Sequence, residues 1–115
     1  MRVLILDDDQ KRLDIFKQKL IGRYVECYMT TGEIIRKLRD ETWDYLFLDH
    51  DLGGKTYVQS GGAEDTGWDV AVWLSNHVDR QPENIILHTF NPAGALNMKS
   101  LLPKALILPG AWNNL

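Results

Sequence analysis

At 115 residues, 44% hydrophobic and 25% charged, the chain has the length and composition of one globular domain, residues 1–115, able to bury an ordinary core. No apolar run approaches the ~20 residues needed to cross a bilayer, and MRVLIL followed by three aspartates lacks the h-region and cleavage site of a signal peptide. The net charge of -3 argues against nucleic-acid binding, and the lone Cys27 excludes an internal disulfide and fits the cytoplasm.

Val3 to Leu6 is a short apolar strand that runs into Asp7, Asp8 and Asp9, the last a candidate helix N-cap. From Gln10 to Ile21, Leu13, Phe16, Leu20 and Ile21 share one helical face, with Lys11, Arg12, Lys17 and Lys19 outside it, and Gly22 ends the helix. Tyr24 to Met29 reads as a second strand at the sheet edge, and Thr30 or Thr31 caps a helix whose buried stripe is Ile34, Ile35 and Leu38.

Tyr45 to Gly54, YLFLDHDLGG, is the central stretch. Four large apolar residues stop abruptly at Asp49, His50 and Asp51, as a strand buried on both faces of a parallel sheet would. Carboxylates packed at such an end need a compensating positive charge, so a metal ion or a phosphate-handling site is expected there. A long glycine-rich segment follows, Gly53 to Gly67, of a length usually reserved for functional loops. Thr66 or Asp65 then caps a helix from Trp68 to His77, and Ile85 to Leu87 is a fourth strand ending in His88 and Thr89. Asn91-Pro92 reads as a turn, Ala95 to Leu102 as a weak helix stopped by Pro103, and Ala105 to Leu108 as a fifth strand.

Five strands alternating with four helices imply a three-layer α/β/α fold on a five-stranded parallel sheet, most commonly of flavodoxin-like order 2-1-3-4-5. That order places Asp7 and Asp8, Asp49 and Asp51, and His88 and Thr89 together at one rim. Asp7, Asp8 and Asp49 form an oxygen-rich set suited to Mg²⁺ or Mn²⁺. His50 and His88, as two imidazoles converging on acids, are candidates for metal ligation, general acid catalysis or phosphate contact. Thr89 offers a hydroxyl to a phosphoryl oxygen, or is simply a β-branched strand residue. Asn91 either presents amides to an anion at a helix start or only makes a turn.

VLILDDD, the LFLD strand end, the D-T-G opening of the third helix and Thr89 resemble the receiver domains of two-component response regulators. The resemblance implies that Asp7 and Asp8 are the acid pair for Mg²⁺, Asp49 the phosphoacceptor, Asp51 the donor of a main-chain carbonyl to the metal, and Thr89 the strand 4 hydroxyl. Three features depart from that pattern: Leu108 stands before Pro109 where a lysine is expected, the segment after Asp49 is long, and the fifth helix is missing. LDHDLGG, TGWDVAVWL and HTFNPAGALNM instead look like the cyclic-phosphate processing receiver-like domains. This implies a metal-dependent domain that binds or hydrolyses a cyclic or esterified phosphate, with Asp49, His50 and His88 catalytic, Asp7, Asp8, Asp49 and Asp51 on the metal, and Thr89 and Asn91 on the phosphate. The expected partner is a small phosphate-containing ligand. Phosphorylation of Asp49 by a histidine kinase, and an inert binding module, are the alternatives.

Overall fold

The computed structural model describes residues 1–52 and 66–115. Strands β1 (Arg2–Leu6), β2 (Tyr24–Tyr28), β3 (Tyr45–Leu48), β4 (Asn84–Leu87) and β5 (Leu106–Ile107) alternate with helices α1 (Gln10–Lys19), α2 (Thr31–Asp40), α3 (Gly67–Ser75) and α4 (Pro92–Leu101). All strand pairs are parallel, in the order β2-β1-β3-β4-β5, so the expected sheet is present.

Each central strand is apolar on both faces, and strict alternation divides its side chains between two cores. Leu4, Leu6, Leu46, Leu48, Ile85 and Leu87 pack with α2, α3 and α4 residues such as Ile34, Leu38, Val70, Leu74 and Met98. Val3, Ile5, Phe47 and Ile86 face the other way, onto Leu13 and Phe16 of α1, its C-cap Leu20, and Trp112. Trp112 lies in a short 3₁₀ turn, Ala111–Asn113, which contacts α1 where sequence patterning left only a tail.

The element ends shift for local reasons. α1 stops at Lys19 rather than Ile21; Gly22 takes φ 90°, and Ile21 is 82% exposed instead of sharing the buried face. α3 ends at Ser75, and the His77 ring stacks on Trp73 and donates from Nδ1 to the Trp73 carbonyl at 2.7 Å, as suits a helix C-terminus. α4 begins at Pro92, three residues earlier than expected. Asn91 is its N-cap, accepting from the Gly94 N–H at 3.0 Å, and proline at the first helical position loses no hydrogen bond. Thr66 caps α3 in a reciprocal box: its Oγ1 accepts from Trp68 N–H at 3.2 Å, and its own N–H donates to Asp69 at 2.9 Å. Residues 53–65 of the glycine-rich segment, Asp65 included, lie outside the described residues.

Candidate metal centre

Strand register builds the site. Leu6 is level with Leu48, and Leu48 with Leu87, so the residues one step further, Asp7, Asp49 and His88, form a single row across β1, β3 and β4. Main-chain bonds extend the ladder into that row: Asp49 N–H donates to Leu6 at 3.1 Å and His88 N–H to Leu48 at 3.2 Å. The alternation that sends Ile5, Phe47 and Ile86 toward α1 sends all three row side chains the same way. Oxygen atoms of Asp7 and Asp49 and a ring nitrogen of His88 lie within 4.8 Å of one another, and all three residues are buried.

Asp7 is the hub. Its Oδ2 receives His88 Nε2 at 3.0 Å and Arg12 Nε at 2.9 Å, while Oδ1 accepts from an Arg12 terminal nitrogen at 2.7 Å and from Asp9 N–H at 2.9 Å. Burial opposes its charge, but the His88 and Arg12 hydrogen bonds together prevail and hold the carboxyl down at about 2. Asp49 has no such set of donors. Burial first, then the adjacent Asp7 charge, push its carboxyl up to about 7. Burial also keeps His88 below the ordinary imidazole range, so it donates Nε2–H to Asp7 as a neutral ring, edge-on to Phe16 and Trp112. Its Nδ1 is buried without a hydrogen-bond partner among the described residues.

Arg12 supplies the positive charge in this cluster. Besides gripping Asp7, one terminal nitrogen lies 3.3 Å from Asp49 and 3.6 Å from Asp8, and the guanidinium sits 5.3 Å from the Trp112 ring centroid. Sequence patterning put Arg12 on the outer face of the helix. One signal did point to it: Asp9 caps α1 through the Lys11 and Arg12 N–H groups, so Arg12 is in the first turn. There a cation opposes the helix dipole, and a long side chain folds back toward the helix N-terminus and hence the acids.

His50 is not part of this row. Adjacent to Asp49 in an extended chain, its side chain points to the opposite face. Its Nδ1 pairs with Asp51 Oδ1 at 2.8 Å, and the same oxygen accepts from Asn91 Nδ2 at 3.1 Å. A Cβ on Gly94 would meet the His50 ring at 2.5–2.8 Å, so glycine is needed for α4 to lie against the imidazole. A Cβ on Gly67 would collide with the Asp49 main-chain carbonyl, which explains the glycine opening α3. The two histidines thus serve two carboxylates on two sides of the sheet. Sequence reading had them converging on one cluster.

The remaining expected residues divide similarly. Asp8 stands at the mouth, its side chain 21% exposed, within Arg12's reach. The Asp51 carboxylate is engaged by His50 and Asn91. Both ends of the Asn91 amide are occupied, one as N-cap and one on Asp51, and its N–H donates to Thr89 Oγ1 at 3.0 Å. Thr89 is 4% exposed, and its hydroxyl oxygen is the acceptor of that Asn91 N–H.

This rim and sheet define a receiver-type fold, and solved structures agree. A CheY-like receiver domain from Methanospirillum hungatei aligns with TM-score 0.68 at 20% identity, over 98% of this chain and 85% of that one. The response regulator TrrA of Thermotoga maritima, solved with Mg²⁺ and BeF, gives 0.71 at 17% identity over 98% and 90%. A Burkholderia pseudomallei response regulator with a phosphorylated aspartic acid and a calcium ion gives 0.71 at 18% over 95% and 59%. Likeness at these identities establishes the fold alone. The family model described as the cyclic-phosphate processing receiver domain matches residues 2–104, and the chain belongs to that family. No curated protein matches it by sequence. No described helix is long and apolar enough to cross a membrane.

Proposed function

We propose that the domain is a divalent-cation-dependent module that binds and hydrolyses a cyclic or otherwise esterified phosphate at the Asp7–Asp49–His88 row. The observation carrying this reading is the convergence of two carboxylates and an imidazole from three strands within 4.8 Å, in a chain of this family. The donor set fits a hard divalent ion: its two carboxylates suit Mg²⁺, and its nitrogen also admits Mn²⁺. Asp7 and Asp49 would hold the ion, with Asp8 at the mouth, and His88 Nε2 would join them only in the tautomer that carries its proton on Nδ1. When bound, such an ion supplies charge stabilisation at a phosphoryl oxygen and makes water more acidic.

The protein groups then have distinct tasks. Asp49, its side chain 7% exposed, is the carboxylate that takes the proton from an attacking water or attacks phosphorus itself. Thr89 donates its hydroxyl proton to a phosphoryl oxygen. His50 and His88 are both wholly buried, which favours positioning roles over general acid catalysis, one of the roles considered for them from sequence. His88 positions Asp7, and His50 positions Asp51 and the α4 N-terminus.

The test is a screen of 2′,3′-cyclic and 3′,5′-cyclic nucleotides and simple phosphodiesters with Mg²⁺ or Mn²⁺. Turnover lost in Asp49→Asn and impaired in His88→Ala is the expected result. Equal inactivity of wild type and both variants sinks the reading. A second reading, phosphorylation of Asp49 by a histidine kinase, is favoured by the receiver fold; it requires a stable beryllofluoride adduct that depends on Mg²⁺ and Asp49, without phosphodiester turnover.

A further inference from the structure

Arg12 raises a question the metal reading leaves open. Its guanidinium touches the carboxylates that a divalent ion would need: Asp7 at 2.7 Å, Asp49 at 3.3 Å and Asp8 at 3.6 Å. Asp7 already accepts four hydrogen bonds, two on each oxygen and two of the four from Arg12, so its lone-pair sites are filled and an ion can bind it only by displacing a donor.

We propose that Arg12 is an exchangeable counter-cation of the acid row: a divalent ion displaces it from Asp7 and Asp49, and the freed guanidinium then binds the phosphate that the ion receives. The inference rests on the metal reading above and adds to it a phosphate-binding residue and an order of events.

Three features support exchange over a fixed ion pair. Arg12 enters from the first turn of α1, where the helix dipole repels a cation, so the attraction of the carboxylates has to outweigh that repulsion. Its side chain is 28% exposed, which leaves a path outward. Trp112 provides a resting surface along that path: the guanidinium already sits 5.3 Å from the indole centroid, and the cation–π attraction persists when the carboxylates are taken. A guanidinium at the mouth of a dication site is suited to phosphate, because its planar fork pairs with two phosphoryl oxygens at once.

The test uses the full chain, with Mg²⁺ or Mn²⁺ and inorganic phosphate as probes. Calorimetry gives ion affinity, and tryptophan emission, with Trp112→Phe identifying the reporting indole, follows the guanidinium. Arg12→Ala removes the competitor, so it should bind the ion about tenfold more tightly than wild type, a typical coupling between linked binding events. In wild type the ion should change Trp112 emission and strengthen phosphate binding; in Arg12→Ala both effects should largely vanish. Arg12→Gln provides the same comparison if the alanine variant is misfolded by circular dichroism.

Unchanged or weaker ion binding in both variants overturns the proposal, since Arg12 would then organise the acids instead of competing for them. Absence of ion binding in wild type and variants alike overturns it together with the metal reading. Tighter ion binding by the variants, in a protein that turns over no phosphodiester, would leave exchange standing and refute hydrolysis.

Discussion

Substituting alanine at Gly94 isolates the packing between His50 and α4. Gly94 lies in the first turn of α4, where alanine is intrinsically better than glycine by about 1 kcal/mol, so with open space the change would stabilise the protein. Here the new Cβ would meet three ring atoms of a fully buried imidazole at 2.5–2.8 Å. Ordinary contact begins near 3.4 Å, so ring and helix must part by roughly 0.6–0.9 Å. Overpacking of this kind costs about 1–3 kcal/mol. After the propensity gain, a net loss of up to about 2 kcal/mol is expected, or a Tm lower by up to roughly 8 °C for a chain of this length. Gly32→Ala is the internal control: it also sits in a first helical turn, with nothing within 4 Å of its added Cβ, and should be neutral or stabilising. Thermal unfolding of both variants, and of Gly94→Ala in a His50→Ala background, decides the matter. If Gly94→Ala raises Tm as Gly32→Ala does, or if removing the His50 ring does not relieve the defect, the packing account is wrong.

Other outcomes follow from the acid row and its surroundings. In the metal-free protein Asp49 has a folded value raised to about 7, so its contribution to stability is full below about pH 4 and falls as pH rises toward 7; urea midpoints should decline from pH 5 to pH 8, and Asp49→Asn should flatten that slope. Asp7, held at about 2, has the opposite sign: its contribution is present above about pH 4 and is lost as pH falls toward 2, so Asp7→Asn should be destabilising at neutral pH and less so in acid. Trp112→Ala should cost about 3–5 kcal/mol by urea unfolding, because the indole is 7% exposed and packs on Phe16, His88 and Phe90. Asp9→Ala, which removes acceptors from the Lys11 and Arg12 N–H groups, should cost about 1 kcal/mol.

The residues easiest to read were those whose signal is local. Apolar runs that end abruptly in acids located β1 and β3, and the spacing of strands and helices was enough for the sheet order. Asp7, Asp49 and His88 were legible because each follows its strand directly. Two errors had physical causes open to view in the sequence. His50 and His88 were grouped as if both faced the acids, although a residue adjacent to Asp49 in an extended chain must point to the other face. Arg12 was assigned by helical periodicity alone, which describes the sides of a helix and not its first turn, where side chains reach back past the end. Asn91 shows the reverse case: the helix began early because Asn-Pro caps as readily as it turns, which puts Asn91 at a helix start, one of the two readings its sequence allowed. Trp112 could be read from sequence as a packing residue, but not what it packs on, since its partners are Phe16 in α1 and His88 just past β4.

Gly67 N–H donates to the His50 carbonyl at 2.9 Å, and its Cα lies where only a glycine can approach Asp49. The chain therefore leaves the rim after Leu52, which is itself buried, and is back against His50 within two residues of rejoining. Thirteen residues of sequence, 53 to 65, separate the two fixed ends Leu52 and Thr66. Doubling the length of a connection between fixed ends adds only about 0.6 kcal/mol of closure entropy. With both ends anchored by contacts to the sheet and α3, the register of Asp49 is insensitive to how long a chain joins them.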